Sequence, residues 1–293
     1  MNDDLRVAIT GLGLDATSVE ALARSALDED LAGGLDVTSV ATIPFDDERS
    51  AVFVPRGSGV LAGVLVAAAV VNIAGDDDVI VESLVEDGAL VAPGDQLLRV
   101  RGLTRTLLTA ERTALNLLCH LSGIATATRT WVDAVAGTGA AIRDTRKTTP
   151  GLRLLEKYAV RCGGGENHRL SLSDAGLIKD NHVLAAGGVS AAFAAVRDTF
   201  PDVPVEVECD TVEQVREAVD AGAELVLLDN MSLDDLRASV DLAAAAKVRT
   251  EASGGLTLDN ARAVAETGVD YLAVGALTHS APVLDIGLDL ETL

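Results

Sequence analysis

The chain has 293 residues and 48% hydrophobic content, enough to bury the cores of one large domain and one smaller one. Its formal net charge of −22 excludes a broad basic surface, and with it nucleic acid or an anionic membrane as partner. Any anionic ligand must therefore be held by a local basic cluster.

The opening MNDDLRVAIT is acidic and lacks the positive region of a signal peptide, so export is not expected. The three cysteines, Cys119, Cys162 and Cys209, lie far apart with no CxxC spacing, which excludes a disulfide framework or zinc site and fits a cytoplasmic location. From Thr17 to Leu31, Val19, Leu22, Ala23, Ala26, Leu27 and Leu31 recur at helical spacing, with capping residues at Asp15 to Ser18. The uncharged stretch Gly57 to Gly75 is expected to be a strand, a turn at Gly63 and a buried helix rather than a membrane span. Strand-like runs at 51–55, 79–85 and 96–101, with turns at Asp87-Gly88 and Pro93-Gly94, complete a small α+β domain.

A long helical stretch from Thr109 through Ala136 follows, and then strands and helices alternate. The strand candidates are 141–145, 176–179, 205–209, 225–229, 248–252 and 271–275, with helices such as 211–221, 233–246 and 258–267 between them. Repeated βα units imply parallel strands, hence a barrel or a doubly wound sheet. The barrel is favoured because every strand ends in a chemically capable group: Arg146 and Lys147, Lys179, Glu208, Asp229, Ser253 to Gly255, and Gly275 before His279.

Between Arg143 and Lys179 there are eight basic residues against four acids, a reversal of the overall balance. Arg153, Lys157 and Arg161 are expected to solvate a helix begun by Pro150, whereas Arg146, Lys147, Arg169 and Lys179 are assigned to an anion site. His168 and Arg169 close the run CGGGENHR, whose glycines leave the backbone free to fold tightly around a ligand, and are placed with that site. Glu208 and Asp229 end adjacent strands; hard oxygen ligands beside basic groups suit a magnesium-bound phosphate, held directly or through water. Asp210 and Asp234 are read instead as helix caps. Ser253, Gly254 and Gly255, with Gly275 on the next strand, suit phosphate binding by backbone N–H groups. His120, His182 and His279 carry no stronger assignment from spacing alone.

The stretches ERTALNLLCHLSGIAT (111–126), DTRKTTPGLRLLEKYAVRCGGGENHR (144–169), IKDNH (178–182), VEVECD (205–210), LLDNMS (227–232) and EASGG (251–255) resemble quinolinate phosphoribosyltransferase over nearly the whole chain. That resemblance implies an N-terminal α/β sandwich over 1–112, with 281–293 returning to it, and an open α/β barrel of the type II phosphoribosyltransferase kind over 113–280. It implies conversion of quinolinate and phosphoribosyl pyrophosphate to nicotinate mononucleotide, pyrophosphate and CO2, in the synthesis of NAD. Arg146, His168, Arg169 and Lys179 would then hold quinolinate, joined by Arg112 from a neighbouring subunit. Lys147, Glu208 and Asp229 would act on the donor with Mg2+, and Ser253, Gly254, Gly255, Gly275 and His279 would take its phosphate. The assembly implied is a homodimer with shared active sites, or a higher oligomer built from it. The competing readings are a ModD-like paralogue, a nicotinate-specific phosphoribosyltransferase, and a phosphate-sensing barrel without turnover. Nicotinate has one carboxylate and needs fewer basic groups.

Overall fold

In the computed structural model, residues 1–291 are described, and the last two positions of the 281–293 segment lie outside them. The chain divides into two compact units: 1–127 with 154–164 and 281–293, and 128–153 with 165–280. This differs from the expected 1–112 and 113–280 in two respects. The division falls inside the long helix, and a helix from the middle of the sequence belongs to the first unit.

The first unit opens with α1 (Asp3–Gly11), α2 (Ala16–Leu31) and α3 (Val37–Thr42), followed by β1 (Glu48–Pro55), β2 (Gly59–Val60), α4 (Val64–Ala74), β3 (Ile80–Ser83), β4 (Leu90–Val91) and β5 (Leu98–Leu103). The helix α5 (Thr104–Ala134) starts five residues before the expected Thr109. In α2 the predicted stripe is the buried one, with Val19, Ala23 and Leu27 inside, and the Asp15 carboxylate accepts hydrogen bonds from the Thr17 and Ser18 N–H groups. Gly63 takes φ +94° and every residue of α4 from Val66 to Ile73 is buried, as the Gly57 to Gly75 stretch predicts. Asp87 does more than turn the chain: its carboxylate accepts from the N–H groups of Gly63 (2.9 Å) and Val64 (3.1 Å) and from the Tyr158 hydroxyl (2.6 Å). No helix among the described residues is long and apolar enough to cross a membrane.

After β6 (Ala141–Arg143) of the second unit, α6 (Arg153–Cys162) belongs to the first. The helix begins three residues beyond Pro150, so the proline precedes it and does not start it. Lys157 is fully buried, as is Glu156, whose carboxylate meets His120 Nε2 at 2.9 Å. Lys157 therefore does not solvate this helix, contrary to the expectation from sequence. Arg153, the first residue of the helix, itself falls in the second unit, bonding Thr148 Oγ1 at 3.0 Å and the Leu170 carbonyl at 3.2 Å there.

The second unit continues with β7 (Gly176–Ile178), α7 (Asp180–Ala186), α8 (Val189–Thr199), β8 (Val205–Cys209), α9 (Val212–Asp220), β9 (Leu225–Asp229), α10 (Leu233–Ala245), β10 (Arg249–Ser253), α11 (Leu258–Ala265), β11 (Tyr271–Ala273) and α12 (Ala276–His279). The first unit is completed by β12 (Ile286–Leu290), which pairs antiparallel with β1 in a sheet of order β12-β1-β5-β3.

The six strands of the second unit are all parallel, in the order β6-β11-β10-β9-β8-β7. This order decides between the two architectures left open by the sequence. From β7 to β11 each strand neighbours the next with no reversal, so there is no switch point of a doubly wound sheet. Instead β6 closes onto β11, the last strand, leaving a barrel open between β6 and β7, where the bridge Arg143–Glu166 is the edge of the gap. In β8, Val205, Val207 and Cys209 alternate with Glu206 and Glu208, so one face of the strand is apolar and the other carries both acids. The helices α9 and α10 are capped by Thr211 and Ser232, the first residues past each strand-end loop able to offer a hydroxyl, and not by Asp210 or Asp234.

Candidate active site

A cavity of about 670 Å³ opens at the carboxyl ends of the second unit's strands. Arg146, Lys147, His168, Arg169, Lys179, Glu208, Asp229, Ser253 and Gly254 all line it, so nine of the sequence-predicted residues meet in one place. Thr145, Asn230 and Glu251 join them. Gly275 and His279 stand beside Lys147: a Cβ on Gly275 would fall 3.0 Å from the lysine Cδ and 3.3 Å from His279 Nε2. Gly275, His279 and Gly255 are not among the cavity's lining residues. Arg112 is exposed on α5 in the first unit.

The loop carrying His168 and Arg169 is anchored by Asp144, fully buried just past β6. Its carboxylate accepts from Asn167 Nδ2 (2.6 Å) and from the His168 N–H (2.9 Å). Arg169 donates Nη1 to the Ala175 carbonyl at 2.9 Å, while its Nε, like that of Arg146, is buried with no hydrogen-bond partner. Burial and the neighbouring Arg146 charge hold the Arg169 pKa below its ordinary value. Two guanidinium groups at one cavity wall bring the donors that carboxylate oxygens pair with.

Behind this face lies a cluster that sequence reasoning missed. His168 Nε2 is 2.7 Å from Glu206 Oε2 and 3.6 Å from Glu251 Oε1, and Arg143 Nη1 bonds Glu251 Oε2 at 2.8 Å. Burial alone would push the His168 pKa down. The Glu206 hydrogen bond and the charges of Glu251 and Glu206 outweigh it and raise it. Burial, and then the charge of Glu206, raise the Glu251 carboxyl well above the usual carboxylate range. A signal for both acids did exist: Glu206 is two residues from Glu208 and Glu251 two from Ser253, so strand alternation puts each on the inward face of its named neighbour. Three of the cluster's groups are close enough to hold a metal ion, but His168 and Arg143 already balance its carboxylates.

Glu208 and Asp229 both line the cavity, yet they are not directly opposite. Glu208 registers with Leu227, which places Asp229 one pleat nearer the mouth. Glu208 forms an ion pair with Lys179. Glu208 and Asp229 both offer hard carboxylate oxygens of the kind that magnesium takes, and they are the residues that would hold it. The Cys209 thiol is buried and pushed up to about 12, and burial raises Cys162 to about 11, so neither is an activated nucleophile.

Two family models match in tandem: the quinolinate phosphoribosyl transferase N-terminal domain over residues 36–122 and its C-terminal domain over 124–289. The chain belongs to the quinolinate phosphoribosyltransferase family. Within it, the chain is 56% identical over 270 residues to the nicotinate-nucleotide pyrophosphorylase [carboxylating] of Mycobacterium leprae, covering 91% of this chain and 95% of the relative. A probable nicotinate-nucleotide pyrophosphorylase [carboxylating] of Bacillus subtilis is 42% identical over 265 residues, 89% of this chain and 90% of its own. The crystal structure of NadC from Streptococcus pyogenes superposes with a TM-score of 0.91 at 39% identity, covering 96% of this chain and 99% of that one. Both units of the fold thus recur in this phosphoribosyltransferase family.

Proposed function

We propose that the chain is a decarboxylating quinolinate phosphoribosyltransferase, converting quinolinate and phosphoribosyl pyrophosphate to nicotinate mononucleotide, pyrophosphate and CO2 in NAD biosynthesis. The observation that carries this reading is the meeting of Arg146 and Arg169 with Lys147, Lys179, Glu208 and Asp229 in the lining of one cavity. A dicarboxylate needs two cationic grips, and guanidinium forks supply them in two-point geometry.

Arg146, Arg169 and His168 bind the quinolinate carboxylates and orient the ring nitrogen toward the ribosyl carbon of the donor. Lys147, exposed four residues beyond β6, meets the departing pyrophosphate, and the Ser253 to Gly255 backbone takes the donor's phosphate, with Gly275 and His279 beside the lysine. As the bond to pyrophosphate breaks, positive charge develops on the ribosyl carbon, and a carboxylate at the strand ends stabilises it. Attack by the ring nitrogen leaves a cationic pyridine ring. That ring draws in the electron pair of the neighbouring carbon–carbon bond as CO2 departs, and the ring carbon then takes up a proton. Glu208 and Asp229 would hold Mg2+, which supplies charge neutralisation to the pyrophosphate.

The assembly in this reading is a homodimer, with Arg112 of each subunit completing its partner's quinolinate site, working in the cytoplasm. Free cysteines accord with a reducing compartment. The test is incubation with quinolinate, phosphoribosyl pyrophosphate and Mg2+, following CO2 and nicotinate mononucleotide, with nicotinate as a parallel substrate. Turnover of nicotinate and not of quinolinate would overturn the assignment.

A further inference from the structure

Asn230, the residue after Asp229, is one of five non-glycine residues with positive φ among those described, at +53°. Left-handed backbone costs a side-chain-bearing residue free energy, and asparagine tolerates it better than most. What the bend achieves at this corner is visible in three contacts. The Asn230 backbone N–H donates to the Ser253 carbonyl at 2.9 Å, extending the β9 and β10 pairing one residue past the register Asp229–Ser253. Its side-chain Nδ2 donates to Asp229 Oδ2 at 2.6 Å. Its amide plane also lies against Gly254, so close that a Cβ there would come within 2.8 Å of Asn230 Nδ2 and nearer still to Oδ1. Gly254 itself has φ +81°, so both the space and the backbone at that position require glycine.

One side chain thus touches both halves of what would be the donor site. A carboxylate turns freely about its last bond unless something holds it, and here one of its two oxygens is occupied by a neutral amide donor. The loop of Ser253 to Gly255 is fixed on its other side by Asn260, whose Nδ2 bonds the Gly255 carbonyl at 3.0 Å while its Oδ1 accepts from the Thr257 N–H. The Asn230 side chain adds to the Asp229–Ser253 strand pairing a bond to the acid and a contact with Gly254.

We propose that Asn230 is a positioning residue for the donor, fixing the rotation of the Asp229 carboxylate at its pyrophosphate end and the height of the Ser253 to Gly255 loop at its phosphate end in one set of contacts. The inference rests on the functional reading above, in which Asp229 faces a magnesium-bound pyrophosphate. It predicts a separation of ligands: magnesium pyrophosphate loses affinity when the amide is removed, and quinolinate, gripped by the arginines, does not. Partners that orient metal-binding carboxylates typically matter by about 10- to 100-fold in affinity.

The test uses two variants. Asn230→Gly keeps the left-handed backbone accessible and removes the amide; Asn230→Asp keeps the shape but replaces the donor with a second carboxylate against Asp229. For the full-length wild type and both variants, calorimetry measures binding of magnesium pyrophosphate and of quinolinate separately, alongside the KM for phosphoribosyl pyrophosphate and the melting temperature. The expected result is magnesium pyrophosphate binding weakened about tenfold or more in both variants, a raised donor KM, quinolinate affinity within about twofold of wild type, and a melting temperature close to wild type in Asn230→Gly. Equal weakening of both ligands would make Asn230 a general structural residue and overturn the proposal, as would unchanged pyrophosphate binding in Asn230→Gly. A wild type that forms no nicotinate mononucleotide would overturn the functional reading and this inference with it. An active wild type beside an unaltered Asn230→Gly would overturn the inference alone.

Discussion

His168 Nε2 lies 2.7 Å from Glu206 Oε2, and this contact determines which form of the imidazole faces the substrate cavity. The groups around His168 are Glu206 from β8, Glu251 from β10 and Arg143 from β6; burial and the Arg143 charge lower its pKa, and the Glu206 hydrogen bond with the charges of Glu251 and Glu206 outweighs them and raises it. A histidine whose folded pKa lies above its unfolded value of about 6.5 contributes stability that is fully present below that value. The contribution is lost as pH rises through the folded pKa. Quinolinate affinity should follow the same window, holding above the ordinary histidine range and falling on further rise. Glu206→Gln removes the acceptor charge that holds the His168 pKa up, so the quinolinate KM should rise more at pH 8 than at pH 6. An identical pH profile in the variant would show that Glu206 does not set the charge of His168.

Removal of Lys147 or of the Asp229 charge tests the donor side. Lys147 is exposed and its backbone carbonyl, not its ammonium, accepts the Thr278 hydroxyl at 2.8 Å, so Lys147→Ala leaves that anchor in place. Lys147→Ala and Asp229→Asn should each cut turnover by about 100-fold or more, the scale for losing a group aimed at transition-state charge. Circular dichroism and melting temperature should remain near wild type. Near-normal turnover in either variant would remove that residue from the reaction.

The reach of the sequence can be read from individual residues. Val205 to Cys209 and Leu225 to Asp229 are strands with the predicted bounds, because apolar runs between helical patterns have few other solutions. Lys157 illustrates the opposite case. A lysine in a run of mixed apolar and charged residues looks solvated, yet Leu155 to Val160 are all buried, which periodicity along α6 alone does not reveal. The division of the chain was hidden for a related reason: α5 runs unbroken from Thr104 to Ala134, so no turn or linker marks the boundary that contacts place after Ala127. The strand-end groups were legible because chemistry collects at the carboxyl ends of barrel strands. Glu206 and Glu251, one pleat deeper, read as ordinary strand residues until the barrel encloses them.

Arg146 and Arg169 make the acid side testable. Their Nε donors are buried without partners, and Arg169 is already depressed by burial and by Arg146. Arg146→Lys removes the planar two-point grip while keeping the charge, so quinolinate should bind about tenfold more weakly, within the strength of one charge-assisted hydrogen bond. Binding of phosphoribosyl pyrophosphate should change little. Calorimetry giving equal losses for both ligands would refute the assignment of Arg146 to quinolinate.

Arg112 is exposed on α5, in the unit that does not contain the cavity-lining residues. An exposed arginine on a helix is most simply a solvated group or a weak ion pair, worth about 1 kcal/mol or less. If it instead completes a partner's quinolinate site in a symmetric dimer, each active site belongs to two chains. Two inactive variants then become informative when mixed: Arg112→Ala lacks the residue a chain gives away, and Lys179→Ala lacks one it keeps. In a heterodimer one site carries both defects and the other carries neither. With subunit exchange allowed and equal amounts mixed, half the dimers are heterodimers with one intact site of two, so activity should return to roughly one quarter of wild type. Exchange can be verified by mass spectrometry of differently labelled chains. Heterodimers that form and stay inactive would place Arg112 outside the site of the neighbouring subunit.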